Sequence, residues 1–344
     1  MDTRIFKIDK NYIDPISIES CADIIKSGGL VAFPTETVYG LGADATRKDA
    51  ALKIYSAKGR PSDNPLIIHI SRAEDAEGYA YTSPLYYKLA RAFMPGPLTV
   101  ILPKKDTIPS EVTGGLDSVA VRCPSHEIAR ALISAAGVPI AAPSANISGS
   151  PSPTSASHVI SDMNGKIDAI IDGDECEIGL ESTIVKLEGS KAILLRPGAI
   201  TADALRCVCD EVEISSAVTH ALAQNERPLS PGMKYRHYAP SSPLVLLDGS
   251  ESDLVAFFQK ASKSENCVIL CYSEEADILS GAKLINVGCR DDLQTQAQRL
   301  FSALRQADTM GADIIYAHLP PLHGLGLALY NRMIRAAAHT VKKV

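Results

Sequence analysis

Short apolar runs bounded by glycine or proline alternate with longer amphipathic segments in the first two-thirds of the chain. The short runs predict buried strands, whereas apolar positions that recur every three to four residues predict helices. Ser83-Pro84 is a typical helix start, and Gly137 is a typical helix end. Together these signals predict helices over residues 17–27, 49–57, 84–94 and 125–136, and strands over 30–33, 66–70, 98–102, 118–122, 138–142, 169–172, 183–187 and 192–196.

The pattern changes twice in the last third. From about residue 208 to 242 the apolar periodicity weakens, and prolines interrupt it. After Pro243 strands and helices alternate regularly, with strands over 244–247, 268–271, 284–287 and 314–317 and helices over 253–261, 291–307 and 327–338. We therefore predict an α/β protein with three parts: a twisted mixed sheet with helices over residues 1–209, a linker over 210–242, and a smaller Rossmann-like open α/β domain over 243–344.

Residues 40–45, Gly-Leu-Gly-Ala-Asp-Ala, fit the spacing of a dinucleotide-binding fingerprint. The preceding strand ends several residues earlier, and no helix opens inside the motif. A tight turn is therefore the interpretation that we favour for this segment.

Composition limits the possible functions. The 344 residues are 46% hydrophobic and 22% charged, which is typical of a globular chain, and the net charge of −6 argues against a main role in gripping nucleic-acid backbones. No signal peptide or membrane-spanning run is visible, so we expect no membrane partner. Eight cysteines scattered along the chain suggest reduced thiols and a cytoplasmic protein, and Cys207 with Cys209 does not complete a metal site.

Lys58-Gly59-Arg60-Pro61, followed by Ser62, is the strongest chemical signal in the chain. A point charge and a planar fork on either side of one glycine suit a polyphosphate, and glycine lets the backbone approach a ligand. An ordinary solvated loop is the alternative.

Several other polar residues follow predicted strands. Thr35, Glu36 and Thr37 follow one strand end and could bind a ligand or form a polar turn capped by hydroxyls. Ser144, Asn146 and Ser182 carry the same ambiguity. Arg122 ends an apolar strand and needs an anionic partner, which could be a structural carboxylate or a substrate carboxylate.

The histidines give weaker signals of function than these residues. His69 ends an apolar strand, where a hydrogen-bonded core residue is the default. His318 and His323 flank two prolines without metal-ligand spacing, and we interpret them as structural. We find no Walker A sequence and no hydrolase nucleophile elbow.

Taken together, the motifs resemble the YrdC-like family. The resemblance rests on Pro34-Thr35-Glu36-Thr37-Val38-Tyr39-Gly40-Leu41, the Lys58-Gly59-Arg60 and Ser144-Ala145-Asn146 pair, Glu181-Ser182-Thr183-Ile184 and Arg196-Pro197-Gly198. It covers residues 1 to about 209. The segment 230–240, Ser-Pro-Gly-Met-Lys-Tyr-Arg-His-Tyr-Ala-Pro, and the α/β tail resemble the longer, two-domain members, in which the linker folds over the active site.

This resemblance implies an enzyme. L-threonine, bicarbonate or carbon dioxide, and ATP would give threonylcarbamoyl-adenylate and pyrophosphate, a nucleotidyl transfer. The product would serve a separate tRNA threonylcarbamoyl transferase complex, which modifies adenosine next to the anticodon.

The resemblance also implies roles for individual residues. L-threonine would be held by Thr35, His69, Arg122 and Ser182, with Arg122 on its carboxylate. ATP would be held by Lys58, Arg60, Ser62, Ser144, Asn146, Ser152 and Arg196, with Tyr235, Arg236 and Tyr238 closing from the linker, and Lys58 and Arg60 would stabilise the developing charge. Mg²⁺ would bind mainly to the phosphates and water, with no dedicated protein metal site.

Two alternatives remain from the sequence. Related domains have a concave basic surface, so the chain could be a double-stranded RNA or nucleotide binding module without turnover, or an enzyme with weak RNA binding. It could also share the carbamoyl-adenylate chemistry of hydrogenase maturation proteins, although it lacks their zinc-finger cysteine pairs.

Overall fold

A computed structural model describes residues 2–220 and 237–344 of the chain. Its described residues fall into two compact units. The first contains residues 2–148, 152–177 and 181–220, and the second contains 149–151, 178–180 and 237–344.

An eleven-stranded mixed sheet forms the first unit. Its strands are β1 (Arg4–Lys7), β2 (Val31–Phe33), β3 (Gly40–Asp44), β4 (Ile67–His69), β5 (Leu98–Pro103), β6 (Ser118–Arg122), β7 (Ile140–Ala141), β8 (Ala169–Asp172), β9 (Thr183–Glu188), β10 (Lys191–Arg196) and β11 (Glu211–Ile214). Their order in the sheet is β1-β8-β2-β3-β7-β4-β6-β5-β9-β10-β11. Parallel and antiparallel pairings alternate irregularly, which confirms the predicted twisted mixed sheet.

In the described part of this unit six helices accompany the sheet: α1 (Pro15–Lys26), α2 (Lys48–Lys58), α3 (Pro84–Phe93), α4 (Glu127–Ala136), α5 (Ala156–Met163) and α6 (Ala202–Arg206), with 3₁₀ turns at Ala73–Gly78 and Ser216–Val218. The predicted start of α3 is confirmed, because the Ser83 side chain accepts a hydrogen bond from the Tyr86 N–H ahead of Pro84. Gly137 ends α4 in the left-handed conformation, as its position predicted.

The strands of the first unit have two different faces. One face carries most of the buried aliphatic core, including Leu41, Ile68, Val100 and Val121. Because side chains alternate across a strand, the intervening residues point the other way. On that opposite face a second apolar core, which includes Phe33 and Ile140, packs against α1 and α4. A small apolar cluster on the same face lies beside polar residues and consists of Ile67, Ile101, Ala120, Ile184 and Leu195.

The prediction of a tight turn at residues 40–45 is wrong. Residues Gly40–Asp44 form β3, which pairs with β2 on one side and β7 on the other. Glycine is needed here for space: a Cβ added to Gly42 would lie 2.7 Å from Ile140 Cγ2 and 2.8 Å from Phe33 Cε1. A glycine-rich strand in the middle of a sheet therefore reflects close packing of neighbouring side chains.

The second unit is a five-stranded parallel sheet. Its strands are β12 (Leu244–Asp248), β13 (Cys267–Cys271), β14 (Lys283–Asn286), β15 (Ile314–His318) and β16 (Val341–Lys343), in the order β14-β13-β15-β12-β16. The helices are α7 (Glu251–Ser264), α8 (Leu293–Thr309) and α9 (Gly326–Ala336), with a 3₁₀ turn at Ser273–Glu275. Parallel strands joined by helices confirm the predicted open α/β domain.

His318 is the last residue of β15 and is buried inside the second unit. Its Nε2 is 2.8 Å from Glu275 Oε2, and its ring stacks on Tyr272 with centroids 4.3 Å apart. Burial alone would raise the pKa of the Glu275 carboxyl, but His318 and the surrounding donors outweigh burial and hold that pKa below its ordinary value.

The segment predicted as a linker begins later than residue 210. Residues Glu211–Ile214 form β11, which pairs in parallel with β10 and so extends the sheet by one strand. Residues 221–236 lie outside the described residues, so the folding of this segment over the active site stays a prediction.

Replacing Gly42 with alanine tests the packing argument. We expect Gly42→Ala to lower the free energy of unfolding of the first unit by about 1–3 kcal/mol, since the added methyl must displace Phe33 or Ile140. Denaturant unfolding measures the loss. The control is Gly78→Ala, where an added Cβ meets nothing within 4 Å and where we expect a change within about 0.5 kcal/mol. Equal effects of the two substitutions would contradict the packing argument.

Candidate active site

Lys58, Ser144 and Asn146 form one cluster, which we call the lysine cluster. Lys58 is the last residue of α2, and it is 2% exposed. Its ammonium group donates to the Ser144 backbone carbonyl at 2.5 Å and also to the Asn146 backbone carbonyl. Ser144 Oγ donates to Asn146 Oδ1 at 2.5 Å. The two motifs, 86 residues apart in sequence, therefore meet around one buried cation.

Gly59 has a more local role than the one predicted. It adopts φ +61° and ψ +36°, the left-handed conformation that ends α2, and an added Cβ would meet nothing within 4 Å. The residue is thus required for backbone conformation, and the close approach of a ligand beside it stays a prediction.

Arg60 and Ser62 lie in the loop that follows. The Arg60 guanidinium is largely buried and donates to the backbone carbonyls of Asn64 at 3.3 Å and Pro65 at 3.1 Å. These bonds hold the side chain against its own loop. Ser62 is exposed.

The loop after β2 carries Thr35 and Glu36. Thr35 Oγ1 donates to the Val38 carbonyl at 2.7 Å and accepts from the Thr37 N–H at 3.2 Å, so this threonine orders a tight hydroxyl-capped turn. The loop leads into β3, where Gly40 bridges to Ser144. It thereby connects the lysine cluster with the strands described next.

Four polar side chains lie together on β4, β5, β6 and the start of β9, and we call them the polar face: His69, Thr99, Arg122 and Ser182. Arg122 is in direct register with both His69 and Thr99, and in-register residues of paired strands share one face of the sheet. Thr99 Oγ1 is 2.7 Å from Ser182 Oγ. The predicted threonine-binding residues His69, Arg122 and Ser182 are thus brought together.

Arg196 and Ser152 lie beside Ser182. The Arg196 guanidinium donates to the Ser182 carbonyl at 3.0 Å and to the Ser182 hydroxyl at 3.1 Å. Ser152 donates to the neighbouring Glu181 carboxylate at 2.6 Å. Arg196, predicted to hold ATP, therefore touches a residue predicted to hold threonine.

A buried ion pair joins the loop after β2 to the polar face. Glu36 Oε1 lies 2.7 Å from Arg122 Nη2, and both side chains are 5% exposed. The contact has the distance of an ion pair but not the angle of a hydrogen bond. Among the described residues, Arg122 Nε has no hydrogen-bond partner either. Of the two partners that the sequence left open for Arg122, a structural carboxylate is present.

His69 is buried and uncharged. Its Nδ1 lies 3.3 Å from the Ile140 carbonyl, and the edge of its ring meets Phe33. Burial, and then the nearby charge of Arg122, lower the pKa of His69 to about 3. The expected hydrogen bond of a core histidine is confirmed, and at neutral pH this ring cannot act as a cation.

Three predicted residues come from the linker. Tyr235 and Arg236 lie outside the described residues. Tyr238 is 4% exposed and its ring packs on Phe301 of α8, with centroids 5.2 Å apart. A contact of Tyr238 with ATP stays a prediction.

Sequence reasoning did not single out Thr99, which was visible only as one position in an apolar strand. It marked Glu36 as one of three polar residues after a strand and Glu181 as part of a motif, without giving either carboxylate a role. A buried cation at Arg122 was the available signal, because such a charge requires a carboxylate nearby. Which carboxylate meets it depends on sheet pairing, which the local pattern does not specify.

The fold and the site define a class: a mixed-sheet domain that gathers buried cations and hydroxyls, followed in the chain by an open parallel α/β domain. Residues 23–198 match the Sua5–YciO–YrdC family, described as "Telomere recombination", and residues 200–338 match the family described as "Threonylcarbamoyl-AMP synthase, C-terminal domain". The chain belongs to the Sua5–YciO–YrdC family, with the two-domain architecture.

Similar proteins extend over almost the whole chain. The threonylcarbamoyl-AMP synthase of Pyrococcus abyssi is 46% identical over 97% of this chain and 98% of its own length, and that of Bacillus subtilis is 44% identical over 95% and 94%. The crystal structure of Pyrococcus abyssi Sua5 complexed with L-threonine has a TM-score of 0.90 and 44% identity, covering 99% of this chain and all of that chain. Escherichia coli YciO, at 22% identity and a TM-score of 0.52 over 57% of this chain, shares the fold of the first unit.

Two further observations concern the setting of the protein. None of the helices in the described ranges is long and apolar enough to cross a membrane. All eight cysteines are free, and six of them are buried, in agreement with the predicted reduced thiols.

The buried state of His69 makes stability depend on pH. An unfolded chain protonates this ring below about pH 6.5, whereas the folded protein does so only near pH 3, so acid favours the unfolded chain across that window. We expect His69 to account for about 2 kcal/mol of lost stability at pH 5. Urea unfolding should show that the free energy of unfolding falls less between pH 7 and pH 5 for His69→Gln than for the wild type. Parallel curves, or a His69 ring signal that titrates near pH 6.5 by NMR, would contradict this assignment.

Proposed function

We propose that this chain synthesises threonylcarbamoyl-AMP from L-threonine, bicarbonate or carbon dioxide, and ATP, with release of pyrophosphate. The observation that carries the proposal is the single contact path from the lysine cluster, through the loop after β2, to the polar face. It brings a site suited to phosphates next to a site suited to an amino acid. The relatives that match along nearly the full length are named for the same activity.

The lysine cluster and Arg60 are suited to the triphosphate. Lysine and arginine provide donors only, and backbone carbonyl oxygens help to position both side chains. Arg196 adds a third cation beside Ser182. Ser62, Ser144, Asn146 and Ser152 supply short hydroxyl and amide groups for the remaining oxygens.

The polar face is suited to the amino acid. The guanidinium of Arg122 offers a planar fork for a carboxylate, while Ser182, Thr35 and neutral His69 offer hydrogen-bonding groups for a hydroxyl. L-threonine is the ligand of the similar Pyrococcus abyssi structure.

The reaction asks the protein mainly to position charges. The deprotonated threonine amine forms an N–C bond to carbon dioxide as one C=O π bond opens onto oxygen, and loss of one N–H proton to solvent then leaves an N-carboxylate. A carboxylate oxygen then attacks the α-phosphorus as the bond to the pyrophosphate oxygen breaks. Lys58 and Arg60 would stabilise the negative charge that develops on the phosphates, which accounts for a site rich in cations and without a nucleophile.

Mg²⁺ would be held chiefly by the phosphates and water. In the part of the chain that is described, no group of three His, Cys, Asp or Glu residues is arranged to hold a metal ion. The donors around the lysine cluster are cations, hydroxyls and amides, which fit a metal bound through its nucleotide. When present, Mg²⁺ supplies charge neutralisation on the phosphates.

We place the reaction in the cytoplasm, where the free cysteines would stay reduced. The adenylate would pass to a separate tRNA threonylcarbamoyl transferase complex. While the reaction proceeds, before the adenylate leaves, the linker residues Tyr235, Arg236 and Tyr238 would close the site and protect the carbamate from water.

Pyrophosphate release tests the proposed function directly. Purified protein with ATP, Mg²⁺ and bicarbonate should release pyrophosphate only when L-threonine is added, because the amine is the nucleophile that starts the sequence. Omission of bicarbonate from degassed buffer should reduce the rate. Release that is independent of threonine, or none at all, would exclude the proposed reaction.

Lys58→Ala should lower turnover by roughly 100-fold or more, because a pre-positioned charge near the phosphates is lost. Lys53→Ala is the matched control: Lys53 lies on the same helix and donates to the Gly28 carbonyl at 2.6 Å, away from the lysine cluster. Steady-state pyrophosphate assays and melting temperatures should be compared for both variants. If the two lose activity in step with their melting temperatures, the role of Lys58 is structural.

A further inference from the structure

The buried pair of Glu36 and Arg122 contains a carboxylate that the proposed function does not use. Arg122 has an evident task in binding the substrate carboxylate, whereas Glu36 has so far only balanced its charge. Both side chains are 5% exposed, so neither charge is shielded by bulk water.

Both members of the pair retain capacity for a ligand. The contact at 2.7 Å lacks the angle of a good hydrogen bond. The donors near the Glu36 carboxylate are Arg122 and the backbone N–H groups of Glu36 and Ser125, and none of them meets either oxygen in full hydrogen-bond geometry, while Arg122 Nε is buried without a hydrogen-bond partner in the described ranges. Buried polar atoms of this kind are rare in folded proteins and call for a partner. An anion receptor and a cation receptor side by side match a zwitterion, the form of a free amino acid.

We infer that Glu36 binds the α-ammonium group of the amino-acid substrate while Arg122 binds its carboxylate, and that Glu36 accepts the proton which the ammonium must lose. This inference rests on the proposed function. It gives the chain a proton acceptor for its first step. In that step an N–H bond of the ammonium breaks, the proton joins a Glu36 oxygen, and the electron pair stays on nitrogen. The pair –NH₃⁺ and –COO⁻ becomes –NH₂ and –COOH.

The surroundings of Glu36 favour such a transfer once substrate is bound. In the pair, burial would raise the pKa of Glu36, but Arg122 outweighs burial and the pKa lies below its ordinary value. A substrate carboxylate that binds Arg122 removes much of this stabilisation and adds a second negative charge nearby. Burial and like-charge repulsion then both raise the pKa of Glu36, towards that of the ammonium.

The other titratable groups that face Glu36 stay neutral. Burial lowers the pKa of His69 to about 3 and lowers that of His126, while it raises the pKa of the Cys123 thiol to about 11 and raises that of Cys176 further. Arg122 is therefore the charge that controls the pKa of Glu36. Glu181, the other carboxylate near the polar face, already accepts from Ser152.

The pH dependence of turnover tests proton transfer. At pH 7 we expect Glu36→Gln to lower threonine-dependent pyrophosphate release by roughly 100-fold or more. Its rate should then rise about tenfold for each pH unit until the threonine ammonium itself ionises, at about pH 8 or higher, because only substrate that is already deprotonated can react. The wild type should be much less dependent on pH in this range. A structural role of Glu36 would not create this slope.

Binding tests the ammonium contact separately. Calorimetry should compare L-threonine with the analogue in which a hydroxyl group replaces the amino group. We expect the wild type to prefer threonine by roughly 10- to 100-fold, the value of a charged hydrogen bond, and Glu36→Gln to lose most of this preference. Arg122→Gln should weaken both ligands alike.

Glu275→Gln is the matched control, since Glu275 is also a buried carboxylate paired with an arginine and a histidine, in the second unit. It should keep the wild-type pH profile.

If Glu36→Gln folds poorly, Glu36→Asp keeps the charge and should retain part of the turnover with the wild-type slope. A folded Glu36→Gln with the wild-type profile and preference would overturn the inference, as would loss of the profile in a Glu181→Gln variant alone. An inactive wild type would instead refute the proposed reaction, and the binding comparison would still test whether Glu36 binds the ammonium group.

Discussion

A positive charge buried at the end of β6 constrains the whole first unit. Removing a guanidinium from water costs several kcal/mol unless an opposite charge and hydrogen bonds replace the lost solvation. Glu36 provides the opposite charge for Arg122, and it can do so only because the loop after β2 returns over the sheet. The threonine-capped turn fixes that loop, and the bridge from Gly40 to Ser144 ties it to the lysine cluster. The position of one charge thus sets the path of the backbone around it.

The central strands serve two purposes because their side chains alternate. One face supplies the larger aliphatic core, and the other supplies the polar face with a small apolar patch beside it and, on the strands nearer β1, a second core under α1 and α4. A site built on paired strands is held more rigidly than one built on loops alone. In this chain the strands place Arg122, His69 and Thr99 in register. The end of α2 contributes Lys58 and loops contribute Asn146 and Glu36, each anchored by contacts to backbone or to a buried partner.

Local patterns in the sequence predicted most helices and strands correctly, since caps and apolar runs are local signals. Ser83-Pro84 and Gly137 stood where the helices start and stop. The errors arose where tertiary packing decides: Gly42 suggested a turn, yet neighbouring aromatic and aliphatic side chains require a strand without a Cβ. For the site, the motifs selected Lys58, Asn146 and Arg122, but the pairing of Arg122 with Glu36 depends on contacts between distant segments. Neither periodicity nor composition records such contacts.

The path from Lys58 to Ser182 also has a consequence for how the protein reaches its native state. Its members come from segments between residues 35 and 196, and the contacts between them close loops of many tens of residues, for which chain entropy must be given up before any contact is gained. No single hairpin or helix of the first unit contains even half of the site. The ability to bind substrate therefore emerges only when the sheet has closed, and a bound ligand selects the completely folded chain over every partly folded one.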